Sequence, residues 1–294
     1  MIHKPMKLSI ITINYNNAEG LRKTLASVAA QTYKQIEHVI VDAASSDGSV
    51  DMIKEYAEET AYPVSWSSKK DKGVYNGMNI GILRATGDYI QILNSGDILA
   101  APDVTERMIS ELDSLNAKRS SLNDDSIAIL YGNMLKSYDG KTIINRDTCG
   151  NGMYTPESFL YFYKGTLNHD CAYIRRDLFD KYGLYNEDMK ICSDWEWYVK
   201  AIALGGEKAV YSNIDVTIFD MNGVSESHGE NAELIKKERR EYLVKTLPAS
   251  ILQDYDQYAF PMEQYNRLKR RHLWGLVYFI ERVLFKLEKW RILR

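Results

Sequence analysis

The sequence predicts an α/β fold in which a mostly parallel central sheet is flanked by helices and followed by a C-terminal helical extension. Over the first hundred residues, short β-branched runs alternate with segments whose apolar residues recur every three or four positions. After Pro248 only the helical spacing remains. Strands that alternate with helices pair in parallel, because each helix carries the chain back to the same edge of the sheet.

The predicted elements follow in order from the N-terminus. Residues 7–13 read as a buried strand, and the spacing of Leu21, Thr24, Leu25 and Val28 predicts a helix with one apolar face. Further strands are predicted at residues 36–42, 64–67 and 89–93, and further helices from about residue 50 and over residues 76–84. Residues 115–126, rich in Ser, Asn and Asp, predict a surface loop.

The composition is typical of a globular protein with one large domain. The 294 residues are 45% hydrophobic and 26% charged, and no run of apolar residues has the length of a membrane-spanning helix. The first apolar run is interrupted by Thr12 and Asn14, which favours a strand over a signal peptide. Three scattered cysteines do not make a disulfide framework, so we expect a cytoplasmic location.

Polar side chains stand at the ends of three predicted strands. Asn14 and Tyr15 follow the first strand, Asp42 ends the second, and Asn94 and Asp97 follow the fourth. Ligands of open α/β sheets bind outside the carboxyl ends of the strands. Turn preference explains any one of these residues, but their joint occurrence predicts a binding site along this edge.

Three segments carry a family resemblance: SIITINYNN, HVIVDAASSDGSVDMI and KDKGVYNGMNIGILRATGDYIQILNSGDIL. They resemble the family 2 inverting glycosyltransferases of the GT-A fold, especially the bacterial subgroup that builds capsular polysaccharides and exopolysaccharides. The resemblance covers residues 6–104 closely and extends more loosely to about residue 225. Glycine-rich phosphate loops of the dinucleotide-binding and P-loop kinds are absent from the sequence, which argues against those enzymes.

The resemblance implies a site for a nucleotide-sugar donor, with a UDP-sugar expected. By that resemblance, the donor pocket includes Ile13, Asn14 and Tyr15 around the base, Asp42 at the base or ribose, Asp71 and, on the following helix, Asn79. Asn94-Ser95-Gly96-Asp97 stands at the family's Asp-x-Asp position, where only Asp97 keeps a carboxylate. Because the departing diphosphate gathers negative charge, we expect Asp97 to hold a divalent cation, Mn²⁺ or Mg²⁺.

The acceptor side is assigned by the same resemblance. Asp194 matches the family's general base, which takes the proton of the attacking hydroxyl, and Glu196 is a second candidate. The tryptophans that flank Asp194 are expected to raise its pKa and to stack on sugars, Trp195 first among them. His169 matches an acceptor-side histidine, and His228 is a weaker candidate for contact with the diphosphate or metal. Structural roles stay open, as an N-cap for Asp194 and in the core for His169.

The C-terminal residues differ in charge from the rest of the chain. Residues 263–294 contain nine Lys or Arg and three Glu, whereas the whole chain has a net charge of -3. Their apolar residues recur every three or four positions from Leu273 to Trp290, which predicts one long amphipathic helix. Contact with an anionic membrane surface and packing on the chain's own body or a second subunit both remain open. Nucleic acid is disfavoured as a partner, since no nucleic-acid-binding motif is present.

We therefore predict a donor half at residues 1–104, an acceptor and catalytic half at 105–245, and a basic helical extension at 246–294. The predicted activity is transfer of a hexose from a nucleotide-diphosphate sugar to a hydroxyl of a glycan or lipid-linked saccharide, in cell-surface polysaccharide biosynthesis. Two alternatives remain: an inactive nucleotide-sugar-binding or scaffold protein of the same fold, and a sugar nucleotidyltransferase.

Overall fold

The computed structural model describes residues 5–120, 126–147, 158–221 and 230–292. The strands are β1 Leu8–Asn14, β2 Ile36–Asp42, β3 Val64–Ser68, β4 Tyr89–Ile92, β5 Ile98–Leu99, β6 Ile129–Ser137, β7 Asn145–Asp147, β8 Ala172–Arg175 and β9 Ala209–Asp220. The helices are α1 Ala18–Ala29, α2 Ser49–Glu59, α3 Val74–Arg84, α4 Val104–Ser120, α5 Phe159–Lys164, α6 Asp177–Tyr182, α7 Ser193–Tyr198, α8 Glu230–Thr246, α9 Ala249–Arg270 and α10 Trp274–Ile292. A 3₁₀ turn spans His169–Cys171, and a π-helical segment, Val199–Leu204, continues α7.

All the strands belong to one sheet with the order β3-β2-β1-β4-β8-β6-β9-β5, and β7 pairs with β6. The predicted parallel arrangement is confirmed for β1 to β4. The second half is mixed, because β8 runs antiparallel between β4 and β6 while β6 and β9 are parallel. Strand β5 pairs with β9, so the two halves of the chain share the sheet.

Helix α3 lies unusually close to β1. A Cβ atom on Gly81 would stand 2.3 Å from Cγ2 of Ile11, and one on Gly77 would stand 3.3 Å from Cγ2 of Ile13. Both positions therefore need the small volume of glycine, and the close packing fixes α3 against the strand whose end carries Asn14.

The structure corrects two sequence-based predictions. Residues 115–120 do not belong to a loop but continue α4, because Leu115 packs against the core. Residues 121–125 lie outside the described part of the chain. The tail is two helices rather than one, since the positive φ of 55° at His272 ends α9 before α10 begins. Among the described residues, no helix is both long and apolar enough to cross a bilayer.

Candidate active site

The ends of β1 and β2 meet in a hydrogen-bonded cluster around the buried carboxylate of Asp42. It accepts hydrogen bonds from Asn14 Nδ2 at 2.8 Å, from Ser68 Oγ at 2.6 Å, and from both the amide and the hydroxyl of Ser45 at 2.9 and 2.5 Å. Burial raises the pKa of Asp42, but these hydrogen bonds lower it more, so the net shift is downward. Asp42 therefore carries a fixed negative charge at neutral pH.

The other predicted donor residues of this edge surround that cluster. Asn14 is 4% exposed, and its Oδ1 has no hydrogen-bond partner, so a buried acceptor remains available beside Asp42. Tyr15 is exposed, and Ile13 lies next to Gly77. Asp71 accepts the amide of Gly73 at 3.0 Å, and its second oxygen faces the same glycine as Ile13. The structure thus places Asn14 in contact with Asp42, and it places Ile13 and Asp71 next to the same glycine of α3.

The turn after β4 carries Asn94 and Asp97. Gly96 has a φ of 112°, which favours glycine, and the hydroxyl of Thr24 on α1 ties the turn down by accepting the Gly96 amide and donating to the Asp97 carbonyl. The Asp97 carboxylate accepts the amide of Asp220 at 3.1 Å. A small pocket lined by Lys23, Gly96 and Asp220 opens beside this turn.

Two acidic side chains, Asp170 and Asp220, lie near Asp97. Burial, followed by the nearby charge of Asp170, raises the pKa of Asp97. Within the described residues, no three acidic, histidine or cysteine side chains converge into a complete metal site. The donor set nevertheless fits a divalent cation, because the carboxylates at 97 and 220, which both lie next to Gly96, offer hard oxygen ligands.

His169 links this turn to the predicted base. Its Nε2 lies 3.2 Å from the Asn94 amide and its Nδ1 lies 3.2 Å from Asp194 Oδ2. The hydroxyl of Tyr75 donates to the Ile191 carbonyl at 2.5 Å and lies 3.2 Å from Asp194 Oδ1. Burial lowers the pKa of His169, but Asp194 and two further carboxylates raise it more. Burial raises the pKa of Asp194, but His169 lowers it more, so the net shift is downward. The sequence-based expectation of a raised pKa for Asp194 is therefore wrong, because the histidine outweighs desolvation.

Three predicted site residues have other roles in the structure. Trp195 is 1% exposed and its indole donates to the Phe162 carbonyl at 2.7 Å, so it offers no face to a sugar. Glu196 pairs with Lys200 at 2.5 Å and accepts a hydrogen bond from Asn186 at 3.0 Å. The side-chain amide of Asn79 donates to the carbonyl of Tyr185 and accepts its amide, both at 2.9 Å. Asn79 therefore stabilises a loop instead of lining the donor edge.

Two further sequence-based assignments concern Asp194 as a helix cap and His228 as a ligand. Asp194 is the second residue of α7, whose N-cap position is Cys192, so Asp194 does not cap the helix. His228 lies outside the described residues.

Sequence reasoning missed Glu238, which is buried on α8. Its carboxylate accepts three successive backbone amides, those of Lys190 at 2.7 Å, Ile191 at 3.1 Å and Cys192 at 3.0 Å. These residues lead directly into α7, so Glu238 fixes the segment that presents Asp194. The only signal in the sequence is a glutamate in a helix, which is common on exposed helix faces.

The model of glycosyl transferase family 2 matches residues 9–183 of this sequence. The chain belongs to this family. It is 30% identical over 236 residues to an uncharacterized glycosyltransferase of Mycobacterium tuberculosis, covering 79% of this chain and 82% of that protein. It is 25% identical over 244 residues to a PGL/p-HBAD biosynthesis glycosyltransferase of Mycobacterium bovis, covering 82% and 84%.

Solved structures share the fold of this glycosyltransferase at low sequence identity. TarS 1–349 of S. aureus in complex with UDP-GlcNAc superimposes with a TM-score of 0.59 and 17% identity over 90% of this chain and 73% of that one. The mannosyltransferase PcManGT of Pyrobaculum calidifontis, in complex with GDP-Man and Mn²⁺, gives 0.59 and 17% over 93% and 73%. A longer TarS chain is covered over 41% of its length. The GT-A fold expected from the resemblance is confirmed.

Proposed function

We propose that this glycosyltransferase moves a hexose from a nucleotide-diphosphate sugar, a UDP-sugar by preference, to a hydroxyl of a glycan or lipid-linked saccharide in cell-surface polysaccharide biosynthesis, with inversion. The observation that carries the proposal is the line of contacts from the donor edge to an ionised carboxylate: Asn94 touches His169, and His169 touches Asp194. In support, a relative of the same family is a PGL/p-HBAD biosynthesis glycosyltransferase, and structural neighbours were solved in complex with UDP-GlcNAc or with GDP-Man and Mn²⁺.

The proposed reaction is a single displacement at the anomeric carbon. The acceptor oxygen attacks that carbon while its proton passes to Asp194, and the bond to the diphosphate breaks with its electron pair going to the phosphate oxygen. Asp194 is suited to this step because the net lowering of its pKa keeps it ionised. A positioned base contributes ~100- to 10,000-fold to such a transfer.

His169 and Tyr75 act on the orientation of the base. Each contacts a different oxygen of the Asp194 carboxylate, at 3.2 Å in both cases, which restricts its rotation. The raised pKa of His169 favours its protonated form, in which Nδ1–H donates to Asp194 Oδ2 and Nε2–H donates to the oxygen of the Asn94 amide, with that amide turned over. The imidazolium then stabilises the ionised carboxylate of Asp194 before transfer. The same interaction lowers the affinity of Asp194 for the acceptor's proton.

The proposal includes a divalent cation, Mn²⁺ or Mg²⁺, on the donor side. Asp97 and Asp220 would hold it together with diphosphate oxygens, which suits the habit of these ions of using one or two carboxylates. When bound, the ion supplies positive charge to the departing diphosphate.

The test is nucleotide release from a panel of UDP-, GDP- and dTDP-sugars, with and without chelator, for wild type, Asp194→Asn and Asp97→Asn. The exposed Asp188→Asn is the matched control, because it carries the same change six residues from Asp194. We expect one donor to be turned over and Asp194→Asn to lose ~100-fold or more in kcat with nucleotide affinity kept. Equal turnover in Asp194→Asn and the control would overturn the assignment of the base, and absence of turnover with every donor would favour the scaffold alternative.

A further inference from the structure

Helix α10 exposes a broad apolar face that no part of the described chain covers. Five exposed apolar side chains form this face: Leu276 (58%), Phe279 (64%), Ile280 (47%), Val283 (40%) and Leu284 (53%). At about 100° per residue, these five positions span an arc of roughly 140° of the helix. Exposure of such an apolar face to water is unfavourable, and its burial is favourable. The arc is therefore suited to contact with an apolar partner.

Cations border this arc. Arg282 and Lys286 lie on α10 at the edge marked by Phe279, and both are exposed, whereas Glu281 lies at the opposite edge, beyond Leu284. Arg267, Lys269 and Arg271 are exposed at the end of α9, next to the break at which α10 begins. The tail therefore presents positive charge beside apolar side chains, on a chain whose overall charge is -3.

We propose that α10, together with the exposed cations at the end of α9, docks on an anionic lipid surface. An interfacial helix needs a wide apolar face with Lys and Arg at its border, so that the apolar side chains enter the acyl boundary while the cations meet lipid phosphates. Both features are present in α10, and Phe279 adds an aromatic ring on this face.

A second copy of the chain is a poorer occupant of the same face. Helix pairs bury a narrower seam, built from two positions in seven, and they match basic residues of one helix with acidic residues of the other. The arc of α10 is wider than such a seam, and among the exposed charges of this region the cations at 267, 269, 271, 282 and 286 outnumber the one anion, Glu281. Pairing two copies would leave apolar side chains exposed and bring together more cations than anions.

The test is co-sedimentation of the full chain with vesicles of phosphatidylcholine alone or of phosphatidylcholine with phosphatidylglycerol. We expect binding only to the anionic vesicles, and weakening by salt. Each of Arg282→Gln and Lys286→Gln should weaken binding by roughly 5-fold, and the double variant by roughly 25-fold. Phe279→Asp should abolish it. The control is Leu83→Asp, which places the same charge on an exposed residue of α3, 72% exposed, and should bind like wild type.

Two results would overturn the proposal. One is vesicle binding that is equal for Phe279→Asp and wild type, because the apolar face would then be irrelevant. The other is absence of vesicle binding together with a dimer, seen by light scattering, that Phe279→Asp converts to monomer, because a second copy would then cover the face. Sedimentation does not depend on turnover, so this result and the result of the donor panel can be told apart.

Discussion

Replacing Glu238 tests whether a residue that touches no substrate sets the rate of transfer. The carboxylate accepts the amides of residues 190, 191 and 192 at 2.7, 3.1 and 3.0 Å, and the side chain is 8% exposed. Hydrogen bonds to a charged group each contribute ~1.5–3 kcal/mol, and a buried amide left without a partner costs ~1–3 kcal/mol. Glu238→Ala therefore costs roughly 3–5 kcal/mol and endangers folding, which makes Glu238→Gln the more informative variant.

Glutamine keeps the shape of the side chain but replaces one oxygen by an NH₂ group. Its single oxygen can retain the amides of Ile191 and Cys192, while the NH₂ group then opposes the amide of Lys190. We expect a loss of about 2 kcal/mol in the free energy of unfolding, or roughly 4–8 °C in Tm. The segment before α7 should shift, and displacements of about 1 Å can cost on the order of 100-fold in rate.

The assay is steady-state transfer at a temperature well below the Tm of the variant. We expect kcat to fall at least ~10-fold while the KM for the donor stays within about 3-fold, because the donor edge at Asp42 does not contact this segment. Glu241→Gln on the same helix is the control, since Glu241 is 67% exposed and should behave like wild type. If Glu238→Gln lowers only the Tm and leaves kcat unchanged, Glu238 has a structural role alone and the reasoning fails.

Three further outcomes are expected. Burial lowers the pKa of His38 to about 3, so below pH 6.5 the unfolded chain binds a proton that the folded chain does not bind. Between pH 6.5 and 3 this group should therefore lower the free energy of unfolding of the wild type by up to ~1.4 kcal/mol per pH unit. Urea unfolding should show a weaker loss of stability at acidic pH for His38→Gln. His169→Gln should raise the pKa of Asp194 and move the acid limb of kcat to higher pH, and an unmoved limb would argue against Asp194 as the titrating base. Gly87→Ala should lower the free energy of unfolding by ~1–3 kcal/mol, because its Cβ would stand 2.7 and 2.8 Å from backbone atoms. Gly275 lies in a helix with open space around it, so thermal unfolding of Gly275→Ala should show a free energy of unfolding raised by up to ~1 kcal/mol.

The polar cluster at the ends of β1 and β2 could be predicted from the sequence because its determinants are local. Each apolar run ends in a polar residue, and parallel pairing then places those ends side by side, as the register of Asn14 with Asp42 shows. The hydroxyls of Ser45 and Ser68 could not be predicted in the same way. They reach Asp42 through a turn and a neighbouring strand, and serine is common wherever chains turn.

The acceptor side was less predictable, because its contacts join distant parts of the chain. Tyr75 reaches Asp194 across 119 residues, and Glu238 reaches the segment before α7 across 46 to 48. The tryptophans beside Asp194 illustrate a second limit. An aromatic run next to a carboxylate is compatible with a sugar-binding wall and with a core, and only the packing of Trp195 on Tyr242 and Arg239 decides for the core.

Helix α3 is what places the two halves of the site relative to one another. Its start follows the loop that holds Asp71, and within two turns it reaches the acceptor side twice, through Tyr75 to Asp194 and through Asn79 to the backbone of Tyr185. Glycine at position 81 lets the same helix pack directly on β1. In the proposed mechanism, α3 therefore holds the loop of Asp71 and the proposed base, Asp194, at a fixed separation, as an in-line displacement would require.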